Sequence, residues 1–183
     1  MDKEETRRFF FLAESLSDFG LNTFICANTN RATARVKNIG ATFTSKRKEY
    51  GFDENDDYIL FNNDFNLESG EIGYTLTKKL MTAHPEITAL FVMNDTAAFG
   101  AMRALKDLGL NCPADVSVIG CDDIILSREY IPSLTSISFD KEEYGTEIGK
   151  RIIDCIRNGA DYSSDVYVVK AKAIIRESVA KRR

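Results

Sequence analysis

A single histidine, His84, stands among the 183 residues, and that scarcity removes several chemistries together. No Ser-His-Asp set can be built on it, because it precedes Pro85 in a connecting stretch and no acidic partner is read for it. The four cysteines, Cys26, Cys112, Cys121 and Cys155, are far apart and form no CxxC pair, so no metal site is expected. Three of them lie in or beside apolar stretches, where free cysteine behaves as a small hydrophobe; this fits a reducing compartment. No apolar run approaches the roughly 18 residues a membrane span needs. The opening Met1-Asp2-Lys3-Glu4-Glu5 lacks a signal-peptide pattern, and a cytoplasmic location is the expectation. GxSxG, P-loop, GxGxxG and HExxH patterns are all missing, so neither an enzyme nor a cofactor is expected. Basic excess is missing too: 24 Lys and Arg against 28 Asp and Glu give a net charge of −4. A nucleic-acid surface usually leaves a basic imbalance. The only basic cluster, Lys181-Arg182-Arg183, reads as a solvated end, so this chain by itself is expected to touch neither DNA nor a membrane.

What is present is alternation. Helical spacing is read over 4–19, about 32–50, 67–82, 95–108 and 141–156, and short apolar strands over 23–27, 58–61, 88–92 and 116–119. Weaker strands are read at 134–138 and about 166–175. Continuous apolar strands between amphipathic helices indicate an α/β fold, a doubly wound parallel sheet with helices on both faces. Gly70 and Gly73 do not follow a glycine-rich turn and read as close-packing glycines. After Pro132 the pattern changes. The tail either crosses to another lobe and returns, or adds one more strand-helix-strand unit to the same sheet.

The polar residues that matter follow the strands. Arg35 comes after strand 23–27, Asp64 and Phe65 after 58–61, Asn94 and Asp95 after 88–92, and Asp122 and Asp123 after 116–119. Open α/β sheets bind small molecules at the carboxyl ends of their strands. An arginine fork opposite an aspartate holds adjacent hydroxyls or a polar ring edge, asparagine adds a donor and an acceptor, and Phe65 can stack on an apolar ring face. Taken singly, these residues have plainer readings. Asp95 is a good helix N-cap, Asp64 and Asp123 are turn residues, Arg35 is a solvated helix residue and Phe65 is core. Only the convergence of four turns on one rim favours a site, one that orients a polyol or heterocycle without covalent chemistry.

These residues resemble the effector-binding core of the lactose-repressor and galactose-repressor (LacI/GalR) family of bacterial transcription regulators. The segment from Pro85-Glu86-Ile87-Thr88-Ala89 to Gly109-Leu110 fits "P-x-I-T-A-I-F-x-x-N-D-x-x-A-x-G-A-x-R-A-L-x-x-x-G-L". Pro113 to Asp123 fits "P-x-D-V-S-V-I-G-F-D-D", with Cys121 in place of the aromatic, and Pro132 to Ile137 fits "P-P-L-T-T-I". Asp64 to Gly70 is similar to "D-F-x-x-x-S-G". Arg35 opens a variant of "R-x-x-G-F" with Asn38 and Ile39 at its end, and Leu21 replaces the histidine of "L-x-x-x-G-H".

The resemblance implies a periplasmic-binding-protein-like, Rossmann-like lobe. It implies Arg35 as the effector-gripping arginine, Asp122 as the opposing aspartate, Asn94 as a polar contact and Phe65 as the aromatic lining the pocket. Residues 2–135 and 166–183 would form the C-terminal lobe, and 136–165 would belong to an N-terminal lobe mostly missing from the chain. The implied partners are a small-molecule effector, a sugar or nucleoside-like compound, and a second copy in a homodimer. DNA would be met only through a helix-turn-helix domain that this chain lacks. A periplasmic sugar-binding protein of the same fold is the alternative. A nucleotide-dependent enzyme on a doubly wound sheet would need a base or phosphate loop, and neither is found.

Overall fold

The computed structural model describes residue 60, residues 67–160 and residues 171–180. Arg35, Asp64 and Phe65 lie outside the described residues, as do the expected elements at 4–19, 23–27 and 32–50 and all but Leu60 of the expected strand 58–61.

Helix α1 (Ser69–Ala83) carries Ile72, Leu76 and Leu80 at four-residue spacing and buries all three. Pro85 disfavours helical backbone at the residue before it, and the helix ends there. His84 takes φ −135° and its N–H donates to the Leu80 carbonyl at 2.8 Å. Its Nδ1 also lies 3.2 Å from Glu86 Oε1, so an acidic partner exists after all, two residues along.

Strand β1 (Ala89–Phe91), helix α2 (Asp95–Asp107) and strand β2 (Ser117–Cys121) form the central unit. Helices α1 and α2 meet backbone to backbone. A Cβ on Gly73 would collide with the Ala97 backbone, and one on Gly100 with the Gly70 carbonyl. Gly73 is therefore a close-packing glycine as expected, whereas a Cβ on Gly70 would meet Thr96 only at an ordinary contact distance of 3.6 Å. After the short helix α3 (Ile125–Glu129), strand β3 (Thr135–Phe139) leads into helix α4 (Lys141–Asn158), and strand β4 (Ala171–Ile174) closes the described sheet.

The sheet order is β1-β2-β3-β4. The first three strands are parallel, in register Phe91↔Ile119 and Ile119↔Thr135. Strand β4 runs antiparallel to β3, pairing Phe139 with Ala171. The expected all-parallel sheet is thus mixed at its β4 side, because the chain returns along β3 in the opposite sense. Alternate residues face opposite sides of a sheet. Leu90 and Val118 join the core with α1 and α2, while Phe91 and Ile119 are buried on the other face. Strand β3 holds Thr135, Ser136 and Ser138, all buried despite their hydroxyls.

Helix α4 is capped at both ends. The Asp140 carboxylate accepts from the Glu143 N–H at 2.8 Å, and Gly159 closes the C-terminus at φ 67°. Yet α4 has no buried residue: Tyr144, Ile148, Ile152 and Ile156 are all exposed, Ile156 by 79%. Strand β3 itself belongs to the sheet, since Ser136 and Ile137 pair with Gly120 and Cys121 of β2. The expected boundary at 136 therefore falls inside this strand.

Candidate functional site

Because β1 and β2 are parallel neighbours, the turns after them emerge at the same edge. From the aligned pair Phe91 and Ile119, three residues along each strand lead to Asn94 and Asp122. The structure thus brings these two expected residues to one rim.

Asn94 caps the helix that follows it. Its side chain is the N-cap of α2, with Oδ1 accepting the Ala97 N–H at 2.8 Å; its amide nitrogen remains a donor. The expectation that Asp95 caps this helix is corrected. Asp95 is the first helical residue and is only 1% exposed. Its Oδ2 accepts the Ile124 N–H at 2.9 Å and the Ser127 hydroxyl at 2.6 Å, and its Oδ1 accepts the Ser136 hydroxyl at 2.6 Å. A buried carboxylate needs several donors, and three meet it here. Gly120 makes room for it, because a Cβ there would run into Asp95 Oδ1 and the Leu134 side chain.

The turn after β2 has unusual backbone. Asp122 sits at φ 107° and Asp123 at φ 47°, a region that side chains other than glycine's seldom occupy. Every N–H of this turn is engaged: Asp122 to the Ile137 carbonyl at 2.9 Å, Asp123 to Ser136 Oγ at 3.0 Å, and Ile124 to Asp95. Burial raises the Asp122 carboxyl above the ordinary carboxylate range, the Asp95 charge adds to this, and Lys141 opposes it. Among the described residues, no hydrogen bond contributes to that shift. A half-buried carboxylate at a sheet edge, without a hydrogen-bond partner among the described residues, is suited to receiving hydroxyls or N–H groups from a ligand.

Asp123 is not a ligand group of this kind. Its Oδ1 takes a 2.6 Å ion pair from the Arg176 guanidinium. Burial works against its ionisation, but the bond and charge of Arg176, with help from Ser138 and Lys141, bring its carboxyl below the ordinary range. Arg176 also donates to the Leu134 carbonyl at 2.7 Å. Two residues on, the Ser178 hydroxyl donates to the Val118 carbonyl at 2.6 Å and accepts the Thr135 N–H at 2.8 Å. The segment after β4 therefore fastens the strands that carry the Asp122 turn. Sequence reasoning did not pick out Arg176. The signal that found Asp122, a charged residue just past an apolar strand, was present there too.

Cys112 and Cys121 are pushed by burial to a thiol pKa of about 12, which suits filling and not nucleophilic attack. A cavity of about 440 Å³ runs along α4, lined by Asp140, Glu142, Glu143, Thr146, Glu147 and Lys150. Its charged, open lining is that of a solvated helix face. Among the described residues, no cluster of potential ligands could hold a metal ion, and no helix is long and apolar enough to cross a membrane.

Comparison with known proteins adds three observations. Residues 13–179 match the family described as periplasmic binding protein-like domain. An HTH-type transcriptional repressor PurR of Haemophilus influenzae is 35% identical over 158 residues, 85% of this chain and 45% of the repressor; the chain spans about half the length of the curated relatives it matches. Among solved structures, a sugar-binding transcriptional regulator of the LacI family from Escherichia coli, complexed with phosphate, superimposes with a TM-score of 0.78 at 24% identity, covering 98% of this chain and 62% of that one. A LacI family regulator from Enterococcus faecium with bound ribose gives 0.76 at 23% identity, covering 98% and 65%.

Proposed function

The chain belongs to the periplasmic binding protein-like family, as the effector-binding core of a LacI/GalR-type regulator, and from that premise we propose that it senses a small molecule at the rim formed by Asn94 and Asp122. The observation that carries this reading is the Asp122 carboxyl, its pKa raised by burial and without a hydrogen-bond partner among the described residues, set beside Asn94 where two parallel strands end. Arg35 and Phe65 complete the ligand set in this reading, the arginine opposite the aspartate and the phenylalanine against the ring face. The effector is a sugar or nucleoside-like compound whose adjacent hydroxyls bridge Arg35 and Asp122. The protein is a cytoplasmic sensor and not an enzyme.

The site is one wall of a cleft. Strands β1 to β4 and helices α1 to α3 belong to the C-terminal lobe, and α4, with its unburied apolar side, packs on the N-terminal lobe. Ligand bridging the lobes favours one arrangement of the two, and the difference in affinity between arrangements shifts DNA binding by a separate helix-turn-helix domain. The regulator acts as a homodimer. The exposed apolar side chains Ile125, Leu126 and Ile131 around α3 support a contact between copies.

The test is calorimetric titration of the chain with D-ribose, repeated on Asp122→Ala. Loss of a hydrogen bond to a charged group, about 1.5–3 kcal/mol, is expected to weaken binding at least tenfold (about 1.4 kcal/mol per decade). Equal binding by both proteins would refute the assignment of Asp122.

A further inference from the structure

The turn that carries Asp122 has a physical problem. Two consecutive non-glycine residues hold positive φ, 107° and 47°. Backbone of this kind is costly for a residue with a side chain and persists only where its surroundings over-determine it. The Asp122 N–H is held by the Ile137 carbonyl, and the next two N–H groups converge on one carboxylate. The Asp123 N–H donates to Ser136 Oγ, and that hydroxyl in turn donates a hydrogen bond to Asp95 Oδ1. The Ile124 N–H, which ends the turn, donates to Asp95 Oδ2, and Ser127 of α3 donates to the same oxygen. Gly120, one residue before the turn's approach, is the vacancy into which this carboxylate fits.

We propose that Asp95 is the positioning residue of the ligand turn: its buried carboxylate, through Ser136 and the Ile124 amide, holds Asp122 and Asp123 in the backbone that presents Asp122 to ligand. Asp95 does not touch the ligand. It lies under the rim, and its three donors come from α3, β3 and the turn itself. A helix-capping role would have spent this carboxylate on α2's own N–H groups; Asn94 performs that task and leaves Asp95 to the turn. The serines are placed for the same purpose. Ser127 and Ser136 are both fully buried, where a hydroxyl without a partner is costly, and both spend their proton on Asp95. The inference rests on the reading of Asp122 as a ligand contact, while the conformation it explains is defined by backbone angles and internal hydrogen bonds alone.

The experiment is NMR on the full 183-residue chain without ligand. Three-bond HN–Hα couplings and 13Cα shifts of Asp122 and Asp123 read φ directly, a signature that a general loss of stability does not move. In Asp95→Ala these couplings are expected to leave their left-handed values. The Asp123 and Ile124 amides should exchange about tenfold faster, as for one lost charged hydrogen bond, while Leu90 and Val118 keep their protection. Asp95→Asn should retain part of the conformation, since its oxygen still accepts from Ile124 and Ser127 while the Ser136 hydroxyl can turn to accept from its nitrogen. Unchanged couplings in a folded Asp95→Ala would overturn the proposal. If that variant does not fold, Ser136→Ala leaves the carboxylate with two of its three donors, and the same couplings decide. Failure of Asp122→Ala to alter ribose binding would sink the ligand reading and leave these couplings untouched, so the two failures are distinct.

Discussion

Asp122 and Asp123 are adjacent in sequence and opposite in electrostatics, and this pair best shows how single residues acquire separate tasks. Asp123 ionises more readily than an ordinary carboxyl, because Arg176 outweighs the cost of its burial. A lowered folded-state value means that its contribution to stability is present above the ordinary value of 3.8 and is lost as pH falls through the folded value. Asp122 has the reverse sign. Its raised value makes ionisation a cost in the folded state, present at neutral pH and relieved on acidification. Urea unfolding should therefore find Asp123→Asn less stable than the wild type by about 1.5–3 kcal/mol at neutral pH. The gap should narrow below pH 3.8 and close as pH falls through the lower folded-state value, where the wild type loses the same ion pair. Asp122→Asn should be slightly more stable than the wild type at neutral pH and equal to it in acid. A parallel loss in both variants would mean that Arg176 does not discriminate between them.

The sequence alone made Asp122 and Asn94 readable, because each follows an uninterrupted apolar strand. It did not separate Asn94 from Asp95. Both are good N-caps, they are neighbours, and a one-residue offset decides which turns out to the helix's first N–H groups and which turns in. That offset depends on Ser127, Ser136 and the space at Gly120, which are 25 to 41 positions away in sequence.

At the level of elements, the contact between α1 and α2 turns on glycine. In a solvent-exposed helix, replacing glycine by alanine stabilises by about 1 kcal/mol, because alanine loses less backbone freedom. At Gly73 and Gly100 the opposite sign is expected. Each Cβ would occupy the position of a backbone carbonyl on the facing helix, Ala97 in one case and Gly70 in the other, and backbone cannot swing aside as a flexible side chain does. Forcing the two helices apart should cost about 1–3 kcal/mol or more for either substitution, as overpacking does. Gly145, in α4, has open space around it, so Gly145→Ala should be neutral or stabilising. Chemical denaturation of the three variants gives the comparison, and a stabilised Gly73→Ala would disprove the close approach.

Long periodic elements such as α1, α2 and α4 were legible because several turns repeat one apolar face. Helix α3, with five residues, falls below any usable period, and its one buried residue is a serine. Strand β3 looked partly polar, yet Thr135, Ser136 and Ser138 are buried. Their hydroxyls serve as hydrogen-bond partners for Arg176, Asp95 and Asp123, and hydropathy cannot register that. The direction of β4 was also unreadable, since nothing in the four residues Ala171-Lys172-Ala173-Ile174 favours one pairing sense over the other.

For the whole molecule, two apolar surfaces compete for partners, and they differ in rigidity. The residues around α3 are anchored from beneath. Ser127 is fully buried and bonded to Asp95, and the Leu134 N–H donates to the Ser127 carbonyl at 2.7 Å. Ile125, Leu126 and Ile131, the last 90% exposed, thus project from a fixed base. A preorganised apolar patch loses little freedom on association, which suits it to a second copy of the chain. Helix α4 keeps its shape through its caps and the Arg151–Glu147 pair at 2.8 Å, but it buries nothing, so its stripe suits a covering lobe. Sedimentation should therefore show a dimer that Ile131→Glu weakens by at least about tenfold, because burying one large aliphatic side chain is worth about 1.5–3 kcal/mol. Ile152→Glu should leave that dimer intact and instead lower the binding of a hydrophobic dye. The reverse pattern would hand the copy-to-copy contact to α4 and leave the α3 patch as the surface in need of cover.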